Sequence, residues 1–272
     1  MTKAVVYTAI ADNYDFLRPV PKNLRGRLEF VCFSNQRYRG GRRKGWEIRD
    51  LISLASDPIR ACRFVKVSPH EFFPEYEISL WLDGNISFNE GLLSCLKNFH
   101  EGKEKIVGVK HPTRNCIYAE ARECVRLKKD IEEVIEEQVL LIDKHGFPEG
   151  FGLTETNILF RKHLDSSVTA MMNEWWHWIE GMSKRDQLSF DFVRWKHQVG
   201  MGYLEQDAHG ENEVFRRGLH RSESIIRNAF SLIEAYQMVV PGATGVVNHS
   251  YGLSKVINRL SRRAGRRLRG VI

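Results

Sequence analysis

Apolar residues fall into short runs separated by turn residues. The first run is Ala-Val-Val-Tyr-Thr-Ala-Ile over 4–10, closed by Asp12-Asn13. A second covers 28–33, between Gly26 and Ser34-Asn35-Gln36. Runs of this length, rich in β-branched and aromatic residues and followed by turn signals, predict buried parallel strands. Further strands are predicted over 78–82, stopped by Asp83-Gly84-Asn85, over 106–109, leading into Lys110-His111-Pro112, and over 156–161. Between them the apolar spacing becomes helical. Helices are predicted over 48–55, ending before Asp57-Pro58, over 89–100, and over 117–144 as one helix or two, up to the stop Gly146-Phe147-Pro148. Two more cover 165–179, with Trp175, Trp176 and Trp178, and 186–197. A basic loop is expected over 37–44, and 222–238 is amphipathic up to Pro241-Gly242. Alternating strands and helices predict an α/β fold, a mixed, mostly parallel sheet flanked by helices. Ligands of such sheets bind beyond the carboxyl ends of the strands, so the polar clusters there carry the chemistry.

Composition narrows the class. Of 272 residues, 42% are hydrophobic and 28% charged, and no apolar run approaches the ~20 residues of a spanning helix. The 4–10 run is too short for a secretory signal. Five cysteines (Cys32, Cys62, Cys95, Cys116, Cys124), with no Cys-x-x-Cys pair, argue against a disulfide framework or a four-cysteine zinc site. Reduced thiols in a cytoplasmic protein are expected, and His111, Cys116 and Cys124 have no zinc spacing. The formal charge of +7 lies in the tail 255–272, which carries seven basic residues and no acid. The body, 1–254, reads as one formally neutral domain with no basic groove, so no nucleic-acid partner is expected. The tail, with Val256, Ile257, Leu260 and Leu268, suits peripheral contact with an anionic membrane surface; a solvated terminus accounts for it equally well.

Three polar segments follow or precede strands. In Asp83-Gly84-Asn85, residues two apart share a strand face. Asp83 and Asn85 would thus present oxygen ligands together, with Gly84 admitting a phosphate closely. Such oxygens suit Mn2+ or Mg2+ shared with a diphosphate; an ordinary turn explains the triplet as well. Thr154-Glu155-Thr156-Asn157 precedes a strand, as a capped start or a sugar-hydroxyl site. In Arg185-Asp186-Gln187 an acid stands at a helix N-terminus, as a cap or beside a transferring sugar. Arg63, Lys66 and His70 could ring a diphosphate or form a solvated basic turn.

Taken in order, these segments resemble the glycosyltransferase-like family once filed as domain of unknown function 616. The residues carrying the resemblance are Tyr7-Thr8-Ala9 with Tyr14-Asp15, Phe33-Ser34, Arg63, Lys66, Pro69-His70 and Trp81-Leu82-Asp83-Gly84-Asn85. They continue with His111-Pro112, Arg114, Cys116, Tyr118, Glu120, Gly146-Phe147-Pro148, Glu155 with Asn157, and 185–190. More distantly the layout is similar to retaining family 8 glycosyltransferases of the GT-A fold, with Asn85 where that family has a second acid. The resemblance implies a nucleotide-sugar donor, UDP-linked by preference, and a glycan or lipid-linked acceptor. Tyr7, Thr8, Ala9, Tyr14, Ser34 and Asn35 would hold the nucleoside, and Arg63, Lys66 and His70 the diphosphate. Asp83, Asn85 and His220 (His209 as second choice) would hold a divalent cation. Thr154, Glu155, Thr156, Asn157, Arg185 and Asp186 would meet sugar and acceptor, with Asp186, Gln187 and Glu155 catalytic and retention favoured. Rival readings are a non-catalytic nucleotide-sugar binder, a nucleotidyltransferase, or a nucleic-acid- or membrane-binding module acting through the tail.

Overall fold

A computed structural model describes residues 3–36, 41–51, 57–205, 212–221 and 223–224. The chain divides into two units, 1–221 and 222–272. The amphipathic stretch, the boundary at 254, the basic tail and His209 lie outside the described residues, a few positions of the amphipathic stretch excepted.

The first unit begins with β1 (Ala4–Ile10), β2 (Glu29–Ser34), a two-residue β3 (Arg42–Arg43) and β4 (Trp46–Asp50). Helices α1 (Pro58–Val67) and α2 (Pro69–Phe72) lead to β5 (Ile78–Leu82) and β6 (Ile86–Phe88). Then come α3 (Leu92–Glu101), β7 (Ile106–Lys110), α4 (Ile117–Arg126), α5 (Glu132–Lys144) and β8 (Thr154–Arg161). Helices α6 (Ser166–Gly181) and α7 (Gln187–Lys196) precede β9 (Gly202–Tyr203) and β10 (Phe215–Arg217). The main sheet has the order β3-β4-β2-β1-β5-β8-β7-β9, and β10 pairs with β6 in a separate ribbon. Neighbours from β4 to β5 are parallel; β8 runs antiparallel to both β5 and β7. The fold is thus the expected α/β arrangement.

Each sheet face carries its own core. One is covered by α1, α4, α5, α6 and α7 around Val65, Tyr118, Ile142, Trp175 and Phe190. The other is covered by α3 and the β6–β10 ribbon around Leu96, Phe99, Phe88 and Phe215. The three tryptophans of α6 belong to the first core: Trp175 is fully buried, Trp176 packs 4.9 Å from Phe64 and Trp178 5.0 Å from Phe192. All five cysteines are free thiols. Among the described residues no helix is long and apolar enough to cross a membrane.

One expectation changes and one open alternative is decided. Residues 46–50 form strand β4, not the start of a helix, because Trp46-Glu47-Ile48-Arg49-Asp50 pairs in register with 31–34 of β2. The 117–144 stretch is two helices, broken at Leu127-Lys128, where Lys128 takes a left-handed φ of 53°.

The buried ionisable groups include one with a clear pH consequence. His163, between β8 and α6, is fully buried and donates from Nε2 to the carbonyl of Phe73 at 3.0 Å. Burial lowers its pKa to about 4. Unfolded, the same imidazole titrates near ~6.5, so the unfolded chain binds a proton that the folded one refuses. Stability is therefore complete above about pH 6.5 and falls as pH drops towards 4, by about 3 kcal/mol. Guanidinium unfolding at pH 7, 5.5 and 4 should show this loss, and His163→Gln should flatten it. An equal slope in the variant would remove His163 as the cause.

Candidate functional site

The candidate residues gather where β1 and β5 end and β8 begins. Strand β5 stops because Asp83 turns back, with Ile86 N–H donating to its carbonyl at 2.9 Å. Trp81 Nε1 donates to Asp83 Oδ1 at 2.7 Å, and Lys66 Nζ lies 3.6 Å from the same oxygen. The Asp83 side chain is still 35% exposed. Gly84 is needed here: a Cβ on it would stand 2.9 Å from Ile10 Cγ1 and 3.1 Å from Asp15 Oδ2. Asn85 is buried and donates from Nδ2 to the carbonyl of Gly218 at 3.0 Å, while Gly218 N–H donates back to the Asn85 carbonyl at 2.8 Å. Two residues further, His220 Nδ1 donates to Asp15 Oδ1 at 2.7 Å, and Tyr14 lies 4.8 Å from the imidazole.

Asp83, Asn85 and His220, the three expected cation ligands, thus sit in one neighbourhood although 135 residues of chain separate the last two. Each has a polar atom fastened by a neighbour. Among the described residues no three His, Cys, Asp or Glu side chains form a metal cluster. One carboxylate, one amide and one imidazole fit Mn2+ or Mg2+ in donor chemistry, with a diphosphate supplying further oxygens.

Beside this group lies a buried charge cluster. Lys66, at the last turn of α1, is 1% exposed and Asp186, the residue before α7, 2%. Lys66 Nζ donates to Asp186 Oδ2 at 2.5 Å and to Thr156 Oγ1 at 2.9 Å; Arg63 approaches Asp186 Oδ1 to 3.4 Å. Thr156 Oγ1 also donates to Asp186 Oδ2 at 2.8 Å. Burial alone would raise the Asp186 carboxyl, but Arg63, Lys66 and Arg185 outweigh it and hold it well below the usual carboxylate range. Lys66 is itself anchored. Its carbonyl accepts from Tyr7 Oη at 2.8 Å and from the fully buried Arg161 at 2.7 Å, and Arg161 also bonds Tyr7 Oη. Burial lifts the Tyr7 phenol to about 12, so it stays a neutral donor.

These placements correct several expectations. Tyr7 is a core residue packed on Phe73 and Trp81, not a nucleoside contact. Lys66 is a buried strut between two carboxylates and does not face a diphosphate. Asp186 makes no capping bond to α7, and its two oxygens are occupied by Arg63, Lys66 and Thr156. A general base needs an oxygen within reach of the acceptor proton, and in this arrangement both Asp186 oxygens are taken up by these partners. His70 turns to α6, where its Nε2 donates to Asn173 Oδ1 at 2.9 Å.

The others lie around the site in varied settings. Ser34 is buried and bonds the Ile10 carbonyl, while Asn35 clasps Asp12 at 2.7 Å. Thr8 is buried and its hydroxyl has no partner among the described residues; Ala9 is partly buried; Tyr14 is exposed. Thr154 is held by Asp191 at 2.7 and 2.8 Å, and Gln187 Nε2 donates to its carbonyl at 3.3 Å. Glu155 lies 3.9 Å from Arg217, and Arg185 reaches Gln187 at 3.5 Å. Asn157 is only 6% exposed, and neither atom of its amide has a partner among the described residues. It falls where β8 slips register against β7, between the pairings Val107–Phe160 and Val109–Glu155. Bulges of this kind re-aim side chains beside functional sites. Asp15 was absent from the expected ligands, and its only sequence signal was its place after Tyr14 in the first loop.

No curated protein sequence matches the chain. Among solved structures it is similar to mouse xyloside xylosyltransferase 1, with 10% identity over 75% of this chain and 84% of that one and a TM-score of 0.43. It is also similar to the glycosyltransferase GlyE of Streptococcus pneumoniae, with 12% identity, 75% and 45% coverage and a TM-score of 0.39. A third is the galactosyltransferase LgtC, solved with donor and acceptor sugar analogues, with 14% identity, 74% and 72% coverage and a TM-score of 0.38. Residues 46–212, more than half of the chain, match the family described as TOD1/MUCI70, glycosyltransferase-like domain, and the chain belongs to that family.

Proposed function

We propose that this protein is a GT-A-type glycosyltransferase that moves a sugar from a nucleotide sugar, UDP-linked by preference, to a glycan or lipid-linked acceptor. The observation that supports the reading is the placement of Asp83-Gly84-Asn85 after β5 against the Asp15–His220 pair, through the Gly84–Asp15 and Asn85–Gly218 contacts, within a chain of a glycosyltransferase-like family. Asp83, Asn85 and His220 would hold Mn2+ or Mg2+. The chemistry such a cation supplies is neutralisation of the charge on the departing diphosphate. Arg63, whose Nε has no partner among the described residues, and Arg217 are cations suited to the same charge. Thr8, Ser34, Asn35 and Tyr14 line the approach for the nucleoside.

With Asp186 tied off, Glu155 is the carboxylate left among the catalytic candidates, and it faces Arg217. The arrangement therefore favours retention, in which the leaving diphosphate takes the acceptor proton. Asn157 offers its unpartnered amide to a sugar hydroxyl. A cavity of about 580 Å³ beside Phe151, Arg194 and Trp195 is suited to the acceptor. Its Arg194 stacks 4.8 Å over the Phe151 ring.

Thermal shift against nucleotides and nucleotide sugars, with and without Mn2+, tests the reading. A ligand at 100 times its Kd should stabilise the protein by about 2.7 kcal/mol. A shift with one nucleotide sugar, enhanced by Mn2+ and lost in Asp83→Ala, is expected. A shift indifferent to Mn2+ would remove the cation from the site. No shift with any nucleotide sugar would sink the donor site, and turnover of a nucleoside triphosphate with a sugar phosphate would favour a nucleotidyltransferase.

A further inference from the structure

His220 reaches the site on a segment that the fold fastens along its length. Strand β10 pairs antiparallel with β6, matching Phe215 with Phe88 and Arg217 with Ile86. Gly218 and Asn85 then exchange two hydrogen bonds, Arg18 donates to the Leu219 carbonyl at 3.2 Å, and Arg221 N–H donates to the Tyr14 carbonyl at 3.3 Å. Asp15 stands at the centre of these ties. Its Oδ1 accepts from His220 Nδ1, and its side chain packs against Gly84, where a Cβ would stand 3.1 Å from it. The pair is largely withdrawn from water, with side chains 22% exposed for His220 and 9% for Asp15.

A carboxylate only accepts, so the bond places the proton on Nδ1 and leaves Nε2 as the ring nitrogen with a lone pair. Metal-binding histidines are commonly oriented in this way, and removing the outer partner weakens the metal about 10–100-fold. We propose that Asp15 is a positioning residue: it fixes the tautomer and the ring plane of His220, so that Nε2 faces the cation shared by Asp83, Asn85 and the donor diphosphate. The proposal rests on the metal reading above. Asp15 touches neither cation nor sugar in it, and acts only through His220 and through its packing against Gly84. A merely structural tie between the first loop and the 215–221 segment would hold equally well with a neutral amide at position 15.

The test is Mn2+ binding, read as free Mn2+ by electron paramagnetic resonance, with saturating UDP and, in parallel, GDP. Asp15→Asn keeps size and an acceptor oxygen but removes the charge that holds the imidazole. It is expected to weaken Mn2+ about 10–100-fold, while nucleotide affinity in EDTA and the melting temperature stay near wild type. His220→Ala should weaken Mn2+ at least as much, and the double variant should be no worse than His220→Ala alone, because both act through one ligand. If wild type binds Mn2+ with a nucleotide but Asp15→Asn lies within twofold of it, or if the two losses add, the positioning role is overturned. If wild type holds no Mn2+ with either nucleotide, the metal reading itself fails and the proposal goes with it.

Discussion

Asp186→Asn should destabilise the fold by about 3–5 kcal/mol, because it leaves a buried ammonium without its main counter-charge. Lys66 Nζ would retain the Thr156 hydroxyl at 2.9 Å and the more distant Asp83 at 3.6 Å. Neither replaces a carboxylate oxygen at 2.5 Å. The chain cannot relax by swinging Lys66 into water, because its backbone is pinned through the carbonyl bonded by Tyr7 and Arg161. The control is Lys66→Met with Asp186→Leu. Replacing both partners of a buried pair by apolar residues removes the desolvation cost along with the attraction, so the double variant should lose less than Asp186→Asn alone. Urea unfolding at pH 7 measures both. A single variant within 1 kcal/mol of wild type, on the order of a solvated pair, would show that the charges are not buried together as described.

Asn157→Leu should leave stability unchanged or raise it by about 1 kcal/mol, yet lower kcat/KM about 100-fold. The amide is 6% exposed with both polar atoms unpartnered. Such a group costs about 1–3 kcal/mol of desolvation, and an apolar residue of similar shape avoids that cost. A fold retains this kind of defect where a ligand completes it. A site built to bond a substrate hydroxyl loses far more when that bond is removed than an apolar contact would. Donor hydrolysis and chemical unfolding on the same preparation decide the matter. Undiminished turnover would show that Asn157 does not touch the sugar, and a loss above 2 kcal/mol would show that the amide stabilises the fold instead.

The strands were legible because each buried strand is a short apolar run closed by turn residues, and 4–10, 78–82 and 106–109 reappear at nearly the same bounds. Strand β4 escaped because Ile48, Leu51 and Ile52 have helical spacing, while the alternation that matters, Trp46 inward and Glu47 outward, begins two residues earlier. The ribbon of β6 and β10 joins residues more than a hundred positions apart, and three-residue strands leave no local pattern. Asp83, Asn85 and His220 stood out as candidates by their order in the chain and the family resemblance. The environment of a charge could not. Arg63-Phe64-Val65-Lys66 reads as a basic turn until the helix shows that position 66 faces inward, to an acid 120 residues away. Asp15 has the same origin: a lone acid in a loop acquires meaning only from the histidine folded over it.

The place of β1 in the sheet sets an order on biosynthesis. It is made before the other strands of this sheet, yet it lies between β2 and β5 near the middle of it. Its early arrival gives β2 and β5 a template on its two edges, as suits a domain assembled from its N-terminal side. The segment that lays His220 against Asp15 is synthesised only after β9, the last strand of the main sheet, has been made. A nascent chain stopped between residues 205 and 212 therefore holds all eight main-sheet strands and lacks the segment that carries His220 to Asp15, so the sheet is complete before that pairing can form.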